Sequence, residues 1–274
     1  MMIDLHSHTT ASDGQHSPTK LIQLASQAGI THLAVTDHDT VAGLKEAGEA
    51  ARNIGLTLIP GIEVSAFIDD KEVHILGHFI ATEGTEMAAF ESNARKERYQ
   101  RMEKMVRKLN DLGFPITMQQ VLAVAQDAQL GRPHLAGVLV ELRYCATIKE
   151  AFDRFLATGK PGFVDRPRLP SERAIELIQN AGGAATLAHP STSRVTDPEL
   201  EALANAGLSG IEVFRADHSP SQRTKYLELA HRLNLVPTAG SDFHGEKITP
   251  DRHLGSVSMV ESSLNALHRR AFAG

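Results

Sequence analysis

The sequence predicts an α/β fold, in which a barrel-like domain carries a helical insertion. Short apolar runs alternate with amphipathic segments along most of the 274 residues, which is typical of βα units and a parallel sheet. Several runs lack polar alternation, as expected of strands covered on both faces. The predicted strands are Ile3–His6, His32–Val35, Thr57–Ile62, Glu72–Leu76, Ala184–Leu187, Gly210–Val213, Val236–Ala239 and Gly255–Val260.

Helix starts between these strands carry recognisable signals. Ser17-Pro18 fits an N-cap followed by a proline in the first turn, and Gly29 marks the end of that helix. Asp197-Pro198 and Ser219-Pro220 repeat this start, and Ser171 opens a further helix that ends at glycine. We therefore predict helices between the strands.

Residues from about Thr85 to Leu169 interrupt this alternation and predict helix almost throughout. Apolar residues such as Met102, Met105 and Leu109 are spaced for one buried helix face. The predicted helices are Ala94–Leu112, Met118–Gln129, Leu135–Arg143 and Ile148–Ala157. We expect a barrel domain of residues 1–84 and 170–274, with residues 85–169 forming a helical cap domain.

Composition narrows the class of protein. Cys145 is the one cysteine, so an internal disulfide is excluded and a cytoplasmic location is expected. The start of the chain lacks a secretory signal, and no apolar run reaches the length of about 20 residues that a membrane span needs. A net charge of -5 argues against long duplex DNA as a partner.

Histidine and acidic side chains lie at the ends of most predicted strands. In a parallel barrel those ends meet at one mouth, so we expect these side chains to form one cluster. Burying such charges without a cation would cost several kcal/mol per ion. Nitrogen and oxygen donors without thiolate suit Mn²⁺ first, with Fe²⁺ or Zn²⁺ as alternatives. The candidate ligands are His6, His8, Asp13, His38, Glu63, His74, His189, Asp242 and His244.

Two of these candidates have competing interpretations. Asp13 lies in Ser12-Asp13-Gly14, a pattern that fits a turn as well as a ligand. His78 falls on the same face of its strand as His74 and is an alternative to it. The basic stretch from Arg95 to Lys108 predicts a solvated helix face, with RNA contact as the alternative.

Six motifs carry the candidate ligands: His6-Ser7-His8, Ser12-Asp13-Gly14, Thr36-Asp37-His38-Asp39, Pro60-Gly61-Ile62-Glu63, Ala188-His189-Pro190 and Gly240-Ser241-Asp242-Phe243-His244. Together they resemble the polymerase and histidinol phosphatase (PHP) family. The resemblance implies a distorted (β/α)₇ barrel with two or three divalent ions, and phosphoester hydrolysis. It implies one ion on His6, His8, Glu63 and Asp242, a second on Glu63, His74 and His189, and a third on Asp13, His38 and His244.

A second motif, Gly131-Arg132-Pro133-His134-Leu135-Ala136, lies in the insertion, with Lys160-Pro161-Gly162 further on. It resembles the RNase AM-like branch, which hydrolyses nucleoside 3',5'-bisphosphates and trims short 5'-phosphorylated RNA. The same residues also fit a plain helix start, and both interpretations hold together because helix N-termini favour anions.

The expected mechanism is attack on phosphorus by a metal-bridging hydroxide, whose pKa the cluster lowers to about 7. Arg132 is expected to contact the phosphate at two points and His134 to add a donor. Asp37 is expected to orient a ligand histidine. The expected substrate is a small phosphorylated nucleotide or short RNA, and no membrane partner is expected.

Three alternative functions follow from the same residues. A histidinol-phosphate phosphatase would share the family and the cluster. An amidohydrolase that cleaves C–N bonds also begins with His-x-His, but Thr36-Asp37-His38-Asp39 and Asp242-x-His244 argue against it. The third is a metal-binding regulatory module without turnover, against which the full ligand set argues.

Overall fold

A nearly closed barrel of seven strands forms the centre of the computed structural model, which describes residues 1–271. The strands follow chain order around the barrel, and the predicted fold class is confirmed. Their bounds are β1 Ile3–Asp4, β2 His32–Val35, β3 Thr57–Ile68, β4 Lys71–His78, β5 Ala184–Leu187, β6 Gly210–Phe214 and β7 Val236–Ala239.

Strand directions depart from the predicted parallel sheet at β4. Strands β1 to β3 are mutually parallel, as are β5 to β7, but β4 runs antiparallel to both neighbours. Only Asp69 and Asp70 separate β3 from β4, and so short a connection can join only antiparallel strands. Asp69 has φ 51°, a left-handed conformation that aspartate tolerates better than most residues.

The barrel closes where the chain beyond β1 meets the chain beyond β7. Leu5 N donates to Ala239 O at 2.9 Å and His8 N donates to Phe243 O at 3.0 Å. Asp242 N returns a bond to His6 O at 2.9 Å. The two segments that carry the His-x-His and Asp-x-His motifs are thus hydrogen-bonded to each other.

The prediction of a strand at Gly255–Val260 is wrong. This segment has no ladder partner, and its contact with β1 is a hydrogen bond from Ile3 N to Ser258 Oγ at 3.0 Å. Val257 and Met259 are buried against the lower end of the barrel. Their alternation therefore reflects packing of an extended segment.

Helices cover the outside of the barrel, and α1 and α10 begin where the capping signals predict. The N-cap predicted at Asp197 is wrong, because Thr196 caps that helix and forms a capping box with Glu199. Ser17 Oγ accepts from Lys20 N at 3.2 Å, and Ser219 forms a capping box with Gln222. The bounds are α1 Pro18–Gln27, α2 Leu44–Ile54, α3 Thr85–Asp111, α4 Met118–Ala125, α5 Arg132–Glu141, α6 Ile148–Ala151, α7 Ser171–Asn180, α8 Pro190–Ser193, α9 Asp197–Asn205, α10 Pro220–Arg232 and α11 Glu261–Ala271.

Helices α3 to α6, with one π-helical turn at Phe152–Leu156, pack around a hydrophobic cluster of their own. Met105, Leu109, Leu135 and Leu139 are fully buried in it. Helix α3 begins at Thr85, earlier than the predicted Ala94. Within residues 1–271, no helix is both long and apolar enough to cross a membrane.

Candidate metal centre

The extension of β1 delivers two histidines to the mouth of the barrel. Ser7 turns outward and donates its hydroxyl to Ala34 O at 2.6 Å, so His6 and His8 point to the same side. Both rings are fully buried, and their Nε2 atoms lie 3.1 Å apart. Two imidazole nitrogens at this separation need either a proton or a cation between them.

Glu63, which is fully buried on β3, lies at the centre of the cluster. Its Oε2 lies 3.2 Å from His6 Nε2 and 3.1 Å from His8 Nε2. The same oxygen lies 3.1 Å from His38 Nδ1, which follows β2. One carboxylate oxygen therefore faces three imidazoles.

The other oxygen of Glu63 faces a second group. Its Oε1 lies 2.7 Å from Nδ1 of His74 on β4 and 3.0 Å from Nε2 of His189 after β5. The two ring nitrogens are 3.2 Å apart. Glu63 thus presents one oxygen to each of two donor groups, as a bridging ligand does.

Asp242 completes the first group from the turn after β7. Its Oδ1 lies 3.3 Å from the Nε2 atoms of both His6 and His8. Asp242 has φ 53°, and this left-handed backbone directs the carboxylate into the mouth.

Asp13 lies beside a third group of donors. Its Oδ1 is 3.5 Å from His244 Nε2 and 3.9 Å from His8 Nδ1. Its Oδ2 is 3.9 Å from His38 Nε2. The turn at residues 12–14 therefore places the carboxylate of Asp13 among histidines.

The structure brings all nine sequence-predicted ligands to one site. Their donor atoms form three sets, and within each set they lie within 4.8 Å of one another. His189 is outside these sets but contacts Glu63 and His74 as described. The sets are His6, His8, Glu63 and Asp242; His38, Glu63 and His74; and His8, Asp13, His38 and His244.

Unpaired polar atoms in the cluster fit divalent cations. Among the described residues, His8 Nδ1, Asp13 Oδ1, His38 Nδ1 and Glu63 Oε2 are buried without a hydrogen-bond partner. Each such atom costs about 1–3 kcal/mol if nothing satisfies it. Imidazole nitrogen and carboxylate oxygen are ligands of Mn²⁺, Fe²⁺ and Zn²⁺. The donor set therefore fits the metals that the sequence suggested.

The pKa shifts of the candidate ligands also agree with a site for divalent cations. Burial lowers the pKa of His8, but Asp242 and Glu63 outweigh it and raise that pKa to about 9. Burial likewise opposes ionised His74, yet Glu63 and Glu72 raise its pKa to about 10. Burial alone would raise the pKa of Glu63, but the neighbouring histidines hold it well below its usual range. Without cations, the carboxylates favour protonation of His8 and His74, whereas burial lowers the pKa of His38 to about 3 and also lowers the pKa of His189. Bound cations would displace the protons from His8 and His74.

The carboxylate of Asp37 contacts the loop that leads to the candidate ligand Asp13. It accepts from Thr9 N at 2.8 Å, Thr9 Oγ1 at 2.7 Å and Ser12 Oγ at 2.6 Å. Within residues 1–271, this carboxylate makes no hydrogen bond to a ligand histidine, and the orienting role stays a prediction. Asp37 instead fixes the loop that carries Asp13.

His78 points away from the mouth. Its Nε2 donates to Leu5 O at 2.9 Å, below the metal centre. Burial lowers the pKa of His78 to about 4, so the ring is neutral at pH 7. Of the two histidines on β4, it is His74 that faces Glu63.

Helix α5, which carries the Arg132-Pro133-His134 motif, starts beside Asp13. A Cβ atom on Gly131 would lie 3.4 Å from Asp13 Oδ2. His134 Nδ1 accepts from Gly131 N at 3.0 Å. The Arg132 guanidinium lies 5.6 Å from the ring centres of both Phe152 and Phe163.

The family follows from this arrangement and from sequence comparison. A family model described as the PHP domain matches residues 4–146, more than half of the chain. The chain belongs to the PHP domain family.

Relatives of this PHP domain match over most of their length. The 5'-3' exoribonuclease Rnm of Escherichia coli (strain K12) is 35% identical over 250 residues, covering 89% of this chain and 85% of the relative. The 3',5'-nucleoside bisphosphate phosphatase of Chromobacterium violaceum is 34% identical over 247 residues, covering 88% and 87%. A crystal structure from Bifidobacterium adolescentis, described as a metal-dependent phosphoesterase, superposes with a TM-score of 0.92 at 33% identity, covering 98% and 96%.

Sequence reasoning about this PHP domain missed two buried residues that support the centre. Glu212 on β6 accepts from His6 Nδ1 at 3.0 Å, His189 N at 2.7 Å and Arg215 Nη1 at 3.1 Å. Arg215 is 1% exposed and also donates to Asp242 Oδ2 at 3.3 Å. A glutamate within the otherwise apolar strand Gly210–Phe214 was the available signal, because an unpaired charge is rarely buried.

Proposed function

We propose that this PHP domain is a metal-dependent phosphoesterase that removes the 3'-phosphate of nucleoside 3',5'-bisphosphates. Adenosine 3',5'-bisphosphate would yield adenosine 5'-monophosphate and phosphate. We propose trimming of short 5'-phosphorylated RNA in the 5' to 3' direction as a second activity, because one relative is named a 5'-3' exoribonuclease. The name of the Chromobacterium violaceum relative supports the first activity.

The observation that carries this proposal is the position of Glu63. Its two oxygens face two separate groups of imidazoles within hydrogen-bond distance. Such a carboxylate is suited to bridge two cations, and paired cations stabilise both the attacking and the leaving oxygen in phosphoryl displacement. A single structural metal would need no bridging carboxylate.

We infer the ligand sets from the contacts given above and from the family resemblance. One ion would lie on His6, His8, Glu63 and Asp242, a second on Glu63, His74 and His189, and a third on Asp13, His38 and His244. When bound, the ions would lower the pKa of water and neutralise charge on the phosphate. Mn²⁺ is our first choice among divalent metals.

Protein groups at the start of α5 would hold the phosphate. Arg132 offers a planar pair of donors, and its position over Phe152 and Phe163 limits the freedom of the side chain. Because Nδ1 of His134 accepts from Gly131 N, the ring proton lies on Nε2, which would be the donor. Both groups would stabilise charge on the phosphate oxygens.

The separate hydrophobic cluster of α3 to α6 supports the expected division into domains. We propose that residues 85–169 form a cap over the mouth of a barrel made from residues 1–84 and 170–274. We also infer a cytoplasmic location, because the single cysteine, Cys145, is buried and unpaired.

The test is metal analysis of protein purified without chelator, followed by assays of phosphate or nucleotide release. The substrates are adenosine 3',5'-bisphosphate, a short 5'-phosphorylated RNA and histidinol phosphate. We expect at least two divalent ions per chain and turnover of the bisphosphate. Turnover of histidinol phosphate alone would refute the proposal and favour the histidinol-phosphate phosphatase.

A further inference from the structure

Two buried arginines in this structure pair with carboxylates at the mouth of the barrel. Arg98 on α3 donates from Nε to Asp39 Oδ2 at 2.9 Å, so the predicted solvated helix face is wrong at that position. Arg215 donates from Nη1 to Asp242 Oδ2 at 3.3 Å. Of these two carboxylates, Asp242 is the candidate metal ligand, so the second pair acts directly on the metal centre.

The same oxygen of Asp242 pairs with a further arginine, Arg252, in the segment after β7. Arg252 Nη1 contacts Asp242 Oδ2 and also donates to the backbone oxygen of Asp242 at 3.2 Å. The other carboxylate oxygen, Oδ1, lies 3.3 Å from the Nε2 atoms of His6 and His8. One oxygen of Asp242 therefore faces the first group of donors, while two guanidinium groups hold the other.

The two arginines differ in how firmly the fold depends on them. Arg215 is 1% exposed, and it pairs with Glu212 and with both oxygens of Asp217. Its removal would leave buried carboxylates without a counter-charge, which strongly destabilises a protein. Arg252 is 28% exposed, and its Nη2 lies 4.0 Å from Asp217 Oδ2. Arg252 is therefore the member of the pair that can be replaced while the fold is kept.

Holding one oxygen of a ligand carboxylate restricts which cations the site suits. Ca²⁺ takes about six to eight oxygen ligands and commonly binds both oxygens of a carboxylate. Transition-metal ions need fewer ligands, and imidazole nitrogens with one oxygen from each carboxylate satisfy them. Because the arginines occupy Oδ2, Asp242 offers Oδ1 alone to a cation.

We propose that Arg252 is a specificity-determining residue of the metal centre, which withholds Asp242 Oδ2 from the cation and so favours Mn²⁺ over Ca²⁺. This inference rests on the proposed function through the ligand role of Asp242. Arg252 is a positioning residue, because it acts on the cation through Asp242. Loss of Arg252 would release Oδ2, since the hydrogen bond that remains, from Arg215, is long at 3.3 Å.

The test measures the dissociation constants of Mn²⁺ and Ca²⁺ by competition with a fluorescent chelator. The proteins are the wild type, Arg252→Met and Arg252→Lys, with circular dichroism to confirm folding. Lys247→Met is the matched control, because it removes an exposed cation from the same segment. Loss of one positive charge changes the affinity for both ions alike, so the ratio of the two constants isolates the effect on ligation.

We expect Arg252→Met to bring the affinity for Ca²⁺ at least about tenfold closer to that for Mn²⁺, which is equivalent to about 1.4 kcal/mol. Arg252→Lys keeps a charged donor and should stay within about threefold of the wild-type ratio. Lys247→Met should show the wild-type ratio.

An unchanged ratio in Arg252→Met would overturn the inference. Equal weakening of both ions would overturn it as well, because Arg252 would then serve only the fold. Wild-type protein that binds no divalent ion would overturn the proposed function together with this inference. The measurement needs no substrate, so failure of the bisphosphate assay in protein that binds Mn²⁺ refutes the proposed substrate and not the role of Arg252.

Discussion

Replacing Glu212 by glutamine should weaken metal binding even though Glu212 is not a proposed ligand. The carboxylate holds the His6 ring through Nδ1 and the His189 backbone through N–H, and it neutralises buried Arg215. An amide keeps the size but must turn an NH₂ group toward one of these donors. Loss of such a supporting carboxylate typically weakens metal affinity 10- to 100-fold, so we expect an effect of that size.

The assay is a Mn²⁺ titration against a fluorescent chelator, with activity measured at limiting and at saturating metal. Glu212→Gln should show the weaker affinity and regain much of its turnover at saturating Mn²⁺. The control is Glu228→Gln at an exposed position of α10, which should match the wild type. Wild-type metal affinity in folded Glu212→Gln would refute the role we assign to this carboxylate.

The other predictions concern ligation, the phosphate contact and pH. Asp242→Ala should lose bound metal and turnover together, measured by elemental analysis and phosphate release; turnover in a metal-depleted variant contradicts the ligand assignment. Arg132→Ala should reduce kcat/KM by about 10-fold or more with metal content unchanged, and loss of metal there would mean a structural role. The pKa of His78 is 6.5 in the unfolded chain and about 4 in the folded protein. Between these pH values the unfolded state therefore binds more protons than the folded state. The free energy of unfolding should decrease as the pH falls from 6.5 to 4, by up to about 3 kcal/mol. Denaturant titrations from pH 4 to 7 should show a shallower pH dependence in His78→Gln, and parallel curves would contradict this.

The metal centre was predictable because its donors lie at strand ends. His6, His38, His189 and Asp242 are distant in the sequence, but each follows a parallel strand, and parallel strands end at one rim. The direction of β4 was not predictable in the same way, because an apolar run looks alike in either direction. The feature that determines the antiparallel direction of β4 is the two-residue connection Asp69-Asp70.

The apolar pattern of the sequence did not indicate the early start of α3, because the first turns of this helix and its later turns pack against different hydrophobic cores. Met87 packs with the core of the barrel, whereas Met105 and Leu109 pack within the helical cluster. One helix that contacts two cores has no single apolar stripe, so the periodic pattern begins only after the first turns.

The closure of the barrel has a consequence for how the site forms. Backbone hydrogen bonds join the chain near His6 to the chain near Asp242 along this seam, and the Asp4 carboxylate adds a bond from Ser241 N at 2.9 Å. The first group of donors therefore combines His6 and His8 with Asp242, which lies more than two hundred residues later in the sequence. Formation of the seam therefore also brings the His6 ring to within 3.3 Å of the Asp242 carboxylate, so a substitution that separates the two segments should disturb the first group of donors as well.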